Sequence, residues 1–187
     1  MSEQAAATPG LRAGFRLLRD PNVAKLFFAY LVSYTGTAMA PIAIAFGVLE
    51  LTGSASAASI VIAAPTLASI VVVLFGGVVA DRTSRKRVIY CSELLAMTAQ
   101  FGMALALLGD HASVPLLTGL MLINGIAMAF HAPAATGLII QLVDVKYLQS
   151  ANALLGTARN GAIAGGAALG GVLVATVGPG WTLFIDA

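Results

Sequence analysis

Five long apolar runs constrain this chain more than any other feature. Each is at least as long as the roughly 20 apolar residues that a helix needs to cross about 30 Å of hydrocarbon. The runs are Val23–Leu51, Ala55–Ala80, Val88–Leu108, Val114–Ile139 and Ser150–Val177. A sixth apolar run starts at Trp181. Continuous runs of this length predict helices instead of the short alternating strands of a barrel. We therefore expect an all-α membrane protein with five full spans and the start of a sixth.

Composition supports this class and argues against several functions. Hydrophobic residues make up 59% of the 187-residue chain and charged residues 10%, whereas a soluble domain carries about 25% charged residues. A net charge of +2 gives no basis for a nucleic-acid partner. The lone Cys91 cannot form an intrachain disulfide, and the two histidines do not form a metal-binding pattern. No nucleophile with a nearby base can be assembled, so we predict no enzyme activity, no metal and no cofactor.

The distribution of Lys and Arg predicts the orientation of the spans. Nine of the ten bases precede or open the first span, follow the second or follow the fourth, and the tenth, Arg159, lies within the fifth. The opposite ends carry Glu50, Asp110 and His111, and no Lys or Arg. Basic residues accumulate on the cytoplasmic side of membrane proteins. We therefore expect a cytoplasmic N-terminal segment over residues 1–22 and a transmembrane bundle over residues 23–187.

A charged loop joins the second and third apolar runs and resembles a known signature. It reads Gly77-Val-Val-Ala-Asp81-Arg82-Thr-Ser84-Arg85-Lys86-Arg87. This is similar to the loop motif of the major facilitator superfamily, with Ser84 where glycine is usual. Pro65, Phe130–Pro133 and Ser150–Leu154 fit the same family. With Phe184–Ala187, they resemble the branch that holds enterobactin-type siderophore exporters and multidrug efflux proteins, the transmembrane secretion effectors.

The resemblance implies a fold and a function. Family members have two six-helix halves, each an inverted repeat of three helices plus three, with substrate bound between the halves. This chain is expected to supply one half, either as a fragment of a longer transporter or paired with a second chain. The implied function is proton-coupled efflux of a siderophore or lipophilic small molecule across the bacterial inner membrane. A non-transporting membrane scaffold or regulatory subunit is the alternative.

The same loop yields the first set of candidate functional residues. Gly77 allows close helix packing, while Asp81, Arg82, Arg85 and Lys86 carry the charges. In the resembled family the equivalent acid contacts the opposite half and stabilises one access state. The competing interpretation is that these charges only set topology and cap helices.

Polar residues inside the apolar runs form a second set of candidates. Arg159 is predicted to lie about 14 Å into the fifth span, where it could bind an anionic substrate or couple to protons, or else reach back to the surface. Glu93 could pair with the basic loop or join a proton relay. Asn124 belongs to a segment that resembles the fourth-helix motif, although Met121 stands where that motif has arginine. Thr37 stands where relatives often have an acid.

The fifth run is rich in glycine. Small residues spaced four apart form a groove in which a neighbouring helix can pack. The run also resembles the fifth-helix motif of facilitator antiporters, with Ala167 in place of its proline. The residues predicted to serve helix packing are Gly161, Gly165, Gly166, Gly170 and Gly171.

Overall fold

The protein is a bundle of six helices in the part of the chain that the structure describes. The computed structural model describes residues 17–142 and 145–187, with the side chains of residues 22, 74–82, 136–142 and 146 left out. The helices are α1 Pro21–Thr52, α2 Ala55–Arg82, α3 Arg85–Leu108, α4 Val114–Leu142, α5 Leu148–Val177 and α6 Pro179–Asp186. A 3₁₀ turn, Val145–Tyr147, precedes α5. Each helix boundary lies within three residues of the predicted run, and the all-α prediction is confirmed. Most of the predicted N-terminal segment lies outside the described residues.

Local sequence explains where several helices begin and end. Gly53 adopts a φ of 65° between α1 and α2, a conformation that costs glycine little. Ser54 then caps α2, because its hydroxyl oxygen accepts a hydrogen bond from the backbone N–H of Ala57. Gly178 has a φ of 88° and is followed by Pro179 in the first turn of α6, where proline loses no helical hydrogen bond. The chain therefore reverses in short turns between long helices.

The helices pack in a defined set of neighbours. Helix α1 lies along α5, α2 along α4, and α4 also along α3, while α6 packs against α3 and α1. The main core, in which five of the helices meet, contains Ala43, Ile44, Val48, Ala58, Val61, Ala64, Met103, Ala104, Leu117, Met121 and Leu183. A second cluster, Val23, Ala151, Leu154 and Leu155, joins the starts of α1 and α5. Leu183 is fully buried, which anchors the short helix α6 within the bundle.

The outer surface of the bundle is apolar. Large side chains such as Val32, Ile60, Val71 and Tyr90 are more than half exposed. Helices α1 to α5 each contain a segment that is long and apolar enough to cross a membrane. Lipid covers such a surface at no cost in hydrophobic free energy. The protein is therefore a multi-pass membrane protein.

Candidate functional site

The charged loop sits at the turn between α2 and α3. Helix α2 ends at Arg82 and α3 begins at Arg85, so the motif spans a connection of two residues. The side chains of Gly77, Asp81 and Arg82 lie outside the described residues, and their gating role stays a prediction. Lys86 is exposed and Arg85 is half-buried in the first turn of α3. Cations at a helix N-terminus oppose the helix dipole, so the dipole does not account for the position of these bases.

Arg159 lies on a face that α1 and α5 form together. Its guanidinium carbon is 5.3 Å from the centroid of the Tyr34 ring, and the Tyr34 ring is in turn 5.3 Å from that of Tyr30. Arg159 follows the first residue of α5 by eleven positions, about 16 Å along the helix. Because its head group rests on Tyr34 in the interior of α1, it does not extend back towards the start of α5. An exposed cation and two half-buried aromatic rings thus share one face.

Glu93 and His131 meet between α3 and α4. The Nδ1 atom of His131 is 3.1 Å from Oε1 of Glu93, and the two side chains are 26% and 52% exposed respectively. The Nδ1 atom of His131 is buried and has no hydrogen-bond partner among the described residues, so its contact with Glu93 is an ion-pair distance without hydrogen-bond geometry. Glu93 therefore has a histidine on the neighbouring helix as its partner.

Sequence reasoning considered Glu93 and His131 separately and did not pair them. Comparing how far each residue lies from the same end of the predicted helices would have paired them. Helices α3 and α4 are consecutive and run in opposite directions. Glu93 lies eight residues after the start of α3 and His131 eleven residues before the end of α4. Both are therefore about 12–16 Å from the same end of the bundle.

Asn124 lies beside a close contact between α2 and α4. A Cβ atom at the next residue, Gly125, would overlap the backbone of Pro65. Asn124 itself is half-buried. Asn124 and Arg159 lie on different helix pairs of the bundle, α2–α4 and α1–α5, so the structure does not gather the two candidates into one polar cluster.

The five glycines of α5 that were predicted to serve packing do not share one environment. A Cβ atom at Gly166 would overlap the backbone of Thr35, and one at Gly170 would lie 3.0 Å from Cα of Met39. At Gly161, Gly165 and Gly171 an added Cβ would have no neighbour within 4 Å. The close contact between α5 and α1 therefore depends on Gly166 and Gly170.

One acidic residue in the bundle was not singled out from the sequence. Asp186 ends the described helix α6, and its Oδ2 accepts a hydrogen bond from Nε2 of Gln100 on α3. Its Oδ1 lies so close to Gly36 of α1 that a Cβ at that position would overlap it. Sequence reasoning used Asp186 only as part of a family resemblance, because the sixth run was short. Its packing against Gly36, deep within α1, was the missing information.

Within the described residues, no group of three or more His, Cys, Asp or Glu side chains is placed to hold a metal ion. The candidate functional residues are three separate groups: Arg159 with its two tyrosines, the Glu93–His131 pair and the Asp186 carboxyl group.

Comparison with known families gives one match. The family model described as transmembrane secretion effector matches residues 13–187, which is nearly the whole chain. A search of curated proteins found no match.

Proposed function

The chain belongs to the transmembrane secretion effector family of the major facilitator superfamily, and from that premise we propose that it takes part in proton-coupled export of an amphiphilic anion. The family supports a transmembrane transporter rather than an enzyme. The substrate class that we propose is a siderophore or a related lipophilic small molecule with an acidic aromatic group. The proposed location is the bacterial inner membrane, with the N-terminus in the cytoplasm.

The observation that carries the substrate class is the contact of Arg159 with Tyr34. A cation within a membrane is costly and is usually retained where it faces a polar cavity or a ligand. Here the guanidinium is exposed on the α1–α5 face, next to the rings of Tyr34 and Tyr30. An aromatic acid could stack on the rings and place its charge against the guanidinium.

The second surface of the binding cavity would come from a further set of helices. In the transporters of this superfamily, substrate binds between two six-helix halves. The exposed α1–α5 face would then be covered by a C-terminal half of the same protein or by a second chain. In this proposal Asp81 and the bases Arg82, Arg85 and Lys86 contact that other half and bias which side of the membrane the cavity faces.

The experiment that tests the proposal measures export in inside-out vesicles that contain the native gene product. A labelled aromatic carboxylate serves as substrate, and a proton gradient drives its uptake. We expect Arg159→Gln to lower uptake by about tenfold or more, since the charge-assisted contact is lost, and Arg159→Lys to retain an intermediate rate. Arg19→Gln is the matched control, because it removes one positive charge from the exposed segment before α1.

The outcomes separate transport from a purely structural role. Uptake that falls in Arg159→Gln but not in Arg19→Gln supports the proposal. Equal uptake by the wild type and Arg159→Gln contradicts the role of Arg159. Vesicles that take up no aromatic carboxylate under any gradient, while the protein is inserted and folded, would instead favour a non-transporting scaffold.

A further inference from the structure

The carboxyl group of Asp186, on α6, lies between Gly36 of α1 and Gln100 of α3. We call this space the Asp186 seat, or the Gly36 seat where the contact with α1 is meant. Gly36 is the sixteenth of the 32 residues of α1, so the carboxyl group meets α1 at half its length. The absence of a side chain at Gly36 is what leaves room for Oδ1. On the other side, Gln100 of α3 donates its hydrogen bond to Oδ2. Although Asp186 is the last residue of α6, its carboxyl group therefore lies beside the middle of α1 and not beside either end of it.

The charged and titratable groups of the surrounding helices are directed elsewhere. On α1 the only charged residues, Lys25 and Glu50, lie near its two ends. Tyr34 precedes Gly36 by two residues, which is about 200° around the helix, and its ring contacts Arg159 of α5.

Helices α3, α5 and α6 place no cation beside the carboxyl group either. The bases of α3, Arg85 to Arg87, lie in its first turn, 13 or more residues before Gln100, which is about 20 Å along the helix. Glu93 precedes Gln100 by seven residues, about 10 Å along the helix, and pairs with His131 of α4. On α5, Arg159 is the only charged residue, and on α6 there is none besides Asp186 itself. Among the described residues, Asp186 thus has an amide donor and no salt bridge.

A carboxyl group that has an amide donor and no cation beside it differs from an ordinary buried ion pair. An ionised carboxylate near mid-membrane without a cation is costly. A protonated carboxyl group carries no charge and costs less. Gln100 suits both forms, because its NH₂ can donate to a carboxylate and its carbonyl oxygen can accept from a carboxylic O–H.

We propose that Asp186 is a proton-binding site, at which the carboxyl group takes up one proton between α1, α3 and α6 and releases it when α6 moves out of the Gly36 seat. Uptake forms one O–H bond and neutralises one negative charge. Release returns the proton to water and leaves the carboxylate hydrated. The link to export rests on the proposed function, whereas proton binding itself does not.

The alternative is a purely structural role, in which Asp186 only holds α6 against α3 through its hydrogen bond with Gln100. The Asp186→Asn variant distinguishes proton binding from this structural role. Asparagine has almost the same shape and can hydrogen-bond to Gln100, but its amide does not take up a proton as a carboxylate does. Asp110→Asn is the matched control. Asp110 is exposed in the α3–α4 loop with a φ of 55°, a conformation that asparagine also tolerates.

The first measurement is infrared difference spectroscopy of the purified native gene product during a pH titration. Wild type and Asp110→Asn are expected to show a carboxylic acid C=O band that disappears as the pH rises, and Asp186→Asn is expected to lack it. A band that persists in Asp186→Asn overturns the proposal. If Asp186→Asn does not fold, Gln100→Leu takes its place: a changed titration midpoint of the same band supports the proposal, and an unchanged midpoint overturns it.

The second measurement separates this inference from the proposed function. In vesicles, Asp186→Asn is expected to lower proton-driven uptake by about tenfold while substrate exchange without a gradient stays within about twofold. A titrating band at Asp186 in a protein that transports nothing would keep the proton site and contradict the proposed function. Proton-driven uptake that is unchanged in Asp186→Asn would keep the proposed function and overturn the role of this site.

Discussion

Glu93 and Asp186 are both acids on the apolar helices of the bundle, but their partners differ in kind. Glu93 lies against a titratable base, His131, with 3.1 Å between Oε1 and Nδ1. Asp186 lies against an amide, Gln100, and against the bare backbone of Gly36. The first acid joins α3 to α4, and the second joins α6 to α3 and α1.

The difference shows how a membrane protein can accommodate a carboxyl group in two ways. An imidazole beside Glu93 is a basic group that can share a proton with the carboxylate, so the pair has a means of neutralising its charge within the bundle. An amide cannot cancel a charge, so Asp186 depends on a proton for neutrality. On this basis, disturbing the Asp186 seat should change both function and stability, while disturbing the Glu93 pair should change stability by a small amount.

The largest effect is expected from Gly36→Val, which fills the seat. The Asp186 carboxyl group must then rotate away from Gln100, or α6 must shift, and overpacking of this kind costs about 1–3 kcal/mol of stability. Proton-driven uptake should fall as far as in Asp186→Asn. Thermal unfolding in detergent and vesicle uptake measure the two effects.

The control for this variant is Gly161→Val, because an added Cβ at Gly161 meets nothing within 4 Å. It carries the same change in helix propensity in another long apolar helix. If the two valine variants unfold at the same temperature and transport equally well, Gly36 does not limit the space for the Asp186 carboxyl group. The contrast drawn between Asp186 and Glu93 would then be wrong.

An intermediate effect is expected from Gln100→Leu. The carboxyl group keeps its place against Gly36 but loses its donor. Because the pair is only partly buried, the loss should lie toward the lower end of the about 1–3 kcal/mol that a buried polar group costs without its hydrogen bond. Thr98→Val is the control on the same helix, since its hydroxyl group is exposed and donates only to the Leu95 carbonyl oxygen one turn away. A Gln100→Leu protein as stable as Thr98→Val would show that the amide contributes nothing to holding α6.

The sequence was sufficient to locate the helices. Apolar length measures directly whether a segment can cross the membrane, and the predicted runs agree with α1 to α6 to within three residues. Short turn signals such as Gly53-Ser54 and Gly178-Pro179 separate the runs clearly. The fold class followed from these local features alone.

It was harder to predict which face of each helix packs against another helix, because this depends on which helices become neighbours. Five of the six glycines of α5 were predicted to serve packing, yet of these five only Gly166 and Gly170 contact α1 closely. These two are four residues apart and share one face, whereas Gly165 is about 100° away from Gly166 around the helix. The position of Asp186 against Gly36 could not be predicted for the same reason, since it depends on how α6 docks.

The smallest effect is expected for the Glu93–His131 pair. Both side chains are partly exposed, and interhelical polar pairs in membranes contribute on average about 0.6 kcal/mol and at most about 1.7 kcal/mol. A double-mutant cycle with Glu93→Gln and His131→Gln, read by denaturant unfolding in detergent, should give a coupling energy in that range. The same cycle for Asp186→Asn and Gln100→Leu should give a larger coupling, because removing Gln100 leaves the carboxyl group at mid-bundle without its donor. Should the Glu93 pair prove the more strongly coupled of the two, then histidine pairing and not the amide seat would be the principal polar contact of the bundle.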